Sequence, residues 1–94
     1  MARRRFLIAY DIRDPKRLRL VCKVTEKYGD RLQYSVFVCD LSPTELVHAK
    51  ADMEQAMLMT EDSVVIIDLG EVASLRFEFM GRRRPLPRGG ARIV

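Results

Sequence analysis

Ninety-four residues with 48% hydrophobic content allow one domain around one modest core. No stretch approaches the roughly 18 apolar residues of a membrane span, and the arginines at the start run into a short strand-like segment without a cleavage pattern, which predicts a cytoplasmic chain. The net charge of +4 hides an asymmetry: eight carboxylates and a single lysine, Lys50, lie between Asp40 and Glu71, leaving 16 of the 17 Lys and Arg residues to the rest of the chain. Arginine outnumbers lysine thirteen to four, and its planar fork suits phosphate oxygens, so the imbalance points to a polyanionic partner such as nucleic acid.

Met1 to Arg5 is a basic lead-in. Phe6 to Asp11 follows as a strand whose consecutive apolar residues predict burial on both faces and a central place in a sheet. Asp14-Pro15 opens the first helix, with Asp14 as the cap and Pro15 in the first turn. That helix is predicted over residues 15–28, with Leu18, Val21, Cys22 and Tyr28 on one face, a basic opposite face and Gly29 as the stop. Residues 30–40 suit either one unbroken strand or two pieces kinked near Tyr34 and Ser35, and two pieces are favoured.

Ser42-Pro-Thr-Glu45 is a capping box that starts a second helix, predicted to Met59, with Leu46, Ala49, Met53, Ala56 and Met57 inward. Residues 63–69 form another apolar strand. Leu75 to Phe79 alternates cleanly and predicts an extra, half-exposed strand. The order predicts an α+β fold, a ferredoxin-like βαββαβ sandwich over residues 1–80 with an extra C-terminal strand, followed by an arginine-rich segment, 81–94, packing on a dimer. In that topology the strand at Val64 lies at a sheet edge, and an apolar edge invites a second copy of the chain.

The cysteines, Cys22 and Cys39, have only His48 as a further soft ligand, so they are expected as free thiols and His48 as a surface residue. No nucleophile–histidine pair and no glycine-rich phosphate loop is present. Asp11, where the first strand ends, is the candidate for metal chemistry. Magnesium takes only one or two carboxylates and completes its shell with water and phosphate oxygens, so two copies of Asp11 across a dimer axis would suffice. Arg13, Arg17, Arg19 and Arg31 flank that turn and could position phosphates; Arg82, Arg83, Arg84 and Arg88 could extend the track. A solvated charged face is the alternative for each.

Tyr10-Asp11-Ile12 with Asp14, the basic helix, and Gly29-Asp-Arg31-Leu-Gln33-Tyr-Ser35-Val-Phe37-Val-Cys39-Asp-Leu41 strongly resemble the second core adaptation protein of CRISPR immunity, the small partner of the CRISPR integrase. The likeness runs over essentially the whole chain. It implies a ferredoxin-like homodimer whose final strand crosses onto the partner, and a role in spacer acquisition as a bridge between integrase units on double-stranded DNA. It also implies an endonuclease activity on RNA or double-stranded DNA that depends on magnesium or manganese. Asp11 matches the family's metal-binding aspartate, Arg31 and Phe37 match positions linked to nuclease activity in some members, and Tyr10 lies in the same signature. Arg17 and Arg19 both stand near the family's helix arginine. Val38 departs from the pattern, because many relatives carry a glutamate there. Competing readings are a toxin-like small ribonuclease of the same fold, a non-catalytic DNA-binding scaffold, and a small-ligand regulatory domain, against which the arginine excess speaks.

Overall fold

The computed structural model describes residues 3–74 and 76–82. Its elements are β1 (Arg4–Asp11), α1 (Pro15–Glu26), β2 (Asp30–Gln33), β3 (Val36–Leu41), α2 (Pro43–Ala56) and β4 (Ser63–Glu71), followed by a 3₁₀ turn at Val72–Ser74. The four strands form an antiparallel sheet in the order β2-β3-β1-β4, which puts β1 in the interior and β4 at an edge, as the sequence predicts. Residues 30–41 are two strands separated by a turn at Tyr34 and Ser35.

Both helices start where their caps predict. The Asp14 side chain accepts from the Arg17 amide, and Ser42 and Glu45 form the reciprocal capping box. Their inner faces pack on one side of the sheet, around Phe6, Ile8, Tyr10, Ile12, Phe37, Cys39 and Leu41. Both cysteines are free thiols, and His48 is exposed.

Both helices end earlier than predicted. In α2 the backbone turns extended at Met57, and the Leu58 amide donates to the Asp62 carboxylate instead of continuing the helical ladder. In α1 the regular helix ends at Glu26, and the Tyr28 and Gly29 amides close it by donating to the Thr25 carbonyl, so Gly29 stands at the predicted stop and serves a second purpose as well. A Cβ at Gly29 would fall on the Val38 carbonyl oxygen and the Cys39 Sγ, so the α1–β2 turn presses directly against β3.

The strand β1 begins at Arg4, inside the segment expected as a lead-in, because Arg5 finds a partner across the sheet in Asp40. Burial on both faces of β1 is only half met. Phe6, Ile8 and Tyr10 are buried under the helices, whereas the opposite face carries half-buried Leu7 and Ala9 beside Val65 and Ile67, which are 49% and 47% exposed. The register with β4 shifts between Arg5 and Phe6, and Gly70 takes φ +99 at that bulge, a conformation that favours glycine.

Among the described residues beyond the 3₁₀ turn, the extra strand is reduced to one isolated bridge position at Phe77. The Phe77 and Phe79 rings lie 6.2 Å apart, and the Arg5 guanidinium stands 5.5 Å from the Phe77 ring. Leu75 and residues 83–94, which carry Arg83, Arg84 and Arg88, lie outside the described residues.

Candidate active site

Asp11 is the last residue of β1, opposite Ser63 in register, and it is exposed. Buried Ile12 anchors the chain just beyond it, and Asp14 then spends its carboxylate on the helix cap. Asp62, just before β4, holds Arg17, and Asp68, towards the far end of that strand, holds Arg4. The Asp11 carboxylate has no hydrogen-bond or ion-pair partner among the described residues. Its hard oxygens fit a magnesium or manganese ion, although no group of three or more His, Cys, Asp or Glu is assembled among the described residues. One copy of the chain therefore contributes a single carboxylate to such a site.

The strand pleat separates the signature residues. Successive side chains point to opposite faces, so Tyr10 turns in under the helices and Asp11 turns toward the open face with Ala9 and Leu7. Of the four candidate catalytic residues, three come together. The Tyr10 ring stacks on Phe37 with centroids 6.1 Å apart, and the Arg31 guanidinium lies 5.6 Å from the Phe37 ring and 5.7 Å from that of Tyr34. Arg31 Nη2 donates to the Cys22 Sγ at 2.8 Å. Phe37 has no exposed surface, and its ring packs against both Tyr10 and Arg31.

Two polar atoms in this cluster are buried without a hydrogen-bond partner, the Tyr10 hydroxyl and Arg31 Nε. Burial pushes the Tyr10 hydroxyl up to about 12, the adjacent Cys22 thiol adds to the rise and Arg31 opposes it. The phenol therefore stays protonated at neutral pH.

The arginines near the turn fall into two classes. Arg17 is committed: Nε donates to Asp62 Oδ2 at 2.8 Å, and Nη2 reaches Asp62 Oδ1 at 3.2 Å and Glu61 Oε1 at 3.1 Å. Those bonds hold the Asp62 carboxyl below the usual carboxylate range, with the Leu58 amide assisting. Arg13 and Arg19 are exposed and carry no ion pair among the described residues, and Arg82 is exposed as well. Arg19 thus keeps an uncommitted guanidinium, whereas Arg17 fastens α1 to the α2–β4 loop. Sequence reasoning missed the Arg5–Asp40 and Arg17–Asp62 pairs, since partners 35 and 45 positions apart leave no local pattern.

A family model described as CRISPR associated protein Cas2 matches residues 4–76. The chain is 37% identical over 79 residues to a CRISPR-associated endoribonuclease Cas2 of Rhodospirillum rubrum, covering 82% of this chain and 78% of that protein. It is 34% identical over 82 residues to a CRISPR-associated endonuclease Cas2 of Halalkalibacterium halodurans, covering 82% and 85%. Among solved structures, Streptococcus pyogenes Cas2 superposes with a TM-score of 0.66 at 38% identity, over 70% of this chain and 86% of that one. A hypothetical protein from Thermus thermophilus superposes with a TM-score of 0.79 at 28% identity, over 93% of this chain and all of that one.

Proposed function

From the premise that this chain belongs to the Cas2 family of CRISPR-associated proteins, we propose that it serves in spacer acquisition. As a homodimer it binds double-stranded DNA through its basic surface and bridges two copies of the CRISPR integrase. Asp11 carries metal-dependent cleavage of a phosphodiester in RNA or DNA. The observation that carries the nuclease part is the free, exposed Asp11 carboxylate on the open face of the sheet, in a chain whose relatives are named endoribonucleases and an endonuclease.

Residues on that face explain how one carboxylate becomes two. Leu7, Ala9, Val65 and Ile67 share it with Asp11, and an apolar sheet face is the natural contact for a second copy. Stacking two such faces brings two Asp11 side chains near the two-fold axis. A magnesium ion held there would neutralise phosphate charge and make a bound water more acidic. Exposed Arg13 and Arg19, at the start of α1 and on its outer face, orient the phosphate backbone as point contacts.

Cleavage of single-stranded RNA and duplex DNA with magnesium, by wild type and Asp11→Ala, tests this reading. Both proteins are expected to be dimers, with cleavage confined to the wild type. A dimeric wild type that cuts neither substrate would remove the nuclease assignment. The second reading, for that case, is a non-catalytic DNA bridge.

A further inference from the structure

Beneath α1, on the β1–β2 side of the sheet, lies a cavity of about 240 Å³ that the chemistry at Asp11 does not use. Tyr10 and Arg31 line it, and the Tyr10 hydroxyl and Arg31 Nε lie buried and unpartnered just behind that lining, in a side-chain cluster where Tyr10 is only 6% exposed. Leu18 and Tyr34 form an apolar wall, while exposed Arg19 and Lys23 stand at the mouth. No carboxylate lines it among the described residues.

Resting on the nucleic-acid reading above, we infer that this cavity receives the phosphate monoester at a nucleic-acid end. Arg31 Nε can only donate, and a protonated Tyr10 hydroxyl can donate beside it, so the missing partner is an acceptor. Three cationic side chains with no acid make that acceptor an anion. An internal phosphodiester has two free oxygens with a sugar on either side, and those two sugars hold it at the mouth of a cavity of about 240 Å³. A terminal phosphate has three free oxygens and one sugar, and it enters end-on. Tyr34, 66% exposed and backed by Arg31, then offers its outer face to the terminal base. Free phosphate and mononucleotides present the same group.

Cys22 lines the same cavity and is half-buried, whereas Cys39 has no exposed surface and burial pushes its thiol up to about 12. Alkylation by iodoacetamide, read by mass spectrometry, therefore reports on Cys22. The probes are one short single-stranded sequence bearing a 5′-phosphate, a 3′-phosphate or hydroxyls at both ends, and inorganic phosphate, all with divalent metal chelated so that no strand is cut. Binding of each oligonucleotide is measured alongside by fluorescence anisotropy.

An end-phosphorylated strand is expected to protect Cys22 at a concentration about tenfold below that of the hydroxyl-ended strand. Tyr10→Phe, which removes only the hydroxyl, is expected to abolish that difference. Equal protection by phosphorylated and hydroxyl-ended strands that both bind would overturn the end pocket and leave the nucleic-acid reading standing. Protection by inorganic phosphate without binding of any strand would overturn the nucleic-acid end in favour of free phosphate, and the nucleic-acid reading would fail with it. Strands that bind without protecting Cys22 would also overturn the proposal.

Discussion

Arg5, which has no exposed surface, grips Asp40 on the neighbouring strand through two parallel bonds, Nε to Oδ1 at 2.6 Å and Nη2 to Oδ2 at 2.7 Å. The two residues lie directly opposite in the β1–β3 register, and the Phe77 ring covers the guanidinium from the open side of the sheet. Removing one partner of such a pair leaves a charge out of water. Asp40→Ala is therefore expected to cost about 3–5 kcal/mol, read as a lower urea midpoint at unchanged slope. The double replacement Arg5→Met with Asp40→Leu is expected to recover most of that loss, since it removes the stranded charge. A double variant no more stable than the single one would show that the pair contributes more than mutual compensation.

Gly29 supplies a second structural test. Its missing side chain lets the α1–β2 turn lie against β3, where an added Cβ would meet backbone atoms and also come within 2.8 Å of the Cys39 Cα. Backbone cannot swing aside as a flexible side chain can. Gly29→Ala is expected to destabilise by about 1–3 kcal/mol through overpacking. Thermal melting of the variant at matched concentration checks it, and an unchanged melting temperature would mean that the turn stands further from β3.

Much of this fold is legible because its punctuation is local. Asp14-Pro15 and Ser42-Pro-Thr-Glu45 mark both helix starts, and the apolar run of β1 marks a central strand. What stays hidden is pairing at a distance. Arg5 resembles part of a basic lead-in until Asp40 folds beside it, and Arg17 resembles a free phosphate ligand until Asp62 engages it. The separation of Tyr10 from Asp11 was within reach of the sequence, because the period of a strand alone sends neighbours to opposite faces. The unpartnered hydroxyl of Tyr10 was not, since satisfaction of a buried polar atom depends on what the rest of the chain brings near it.

The Arg17–Asp62 lock predicts part of the acid limb of stability. Hydrogen bonds from Arg17, then from the Leu58 amide, hold the folded Asp62 carboxyl below its ordinary value. A group depressed in the folded state gives stability that is complete above its unfolded pKa and is lost as pH falls through the folded one. Unfolding free energy should therefore decline from the ordinary carboxylate range downward. Glu45 and Asp68, also lowered, by the Ser42 cap and by Arg4, contribute to the same decline. Asp62→Asn can still accept from the Leu58 amide but cannot pair with Arg17, so it should be less stable at neutral pH and show a shallower acid limb. Equal slopes for variant and wild type would remove Asp62 from the acid response.

Ile67→Glu separates assembly from folding. Ile67 is 47% exposed on the open face, opposite Leu7 in the register, and a carboxylate there can reach water in a single copy of the chain. Folding stability of the monomer should therefore change by only about 0.5 kcal/mol. In a dimer stacked through this face the same carboxylate would be buried without a partner, which is costly. Sedimentation equilibrium is expected to give a dimer for the wild type and for Asp11→Ala, and a folded monomer for Ile67→Glu. Because one chain brings only one Asp11, the monomer should also lose metal-dependent cleavage although its own Asp11 is intact. A dimeric Ile67→Glu would place the interface elsewhere and undo the pairing of Asp11 with its copy; a monomer that still cleaves would show that one carboxylate is enough.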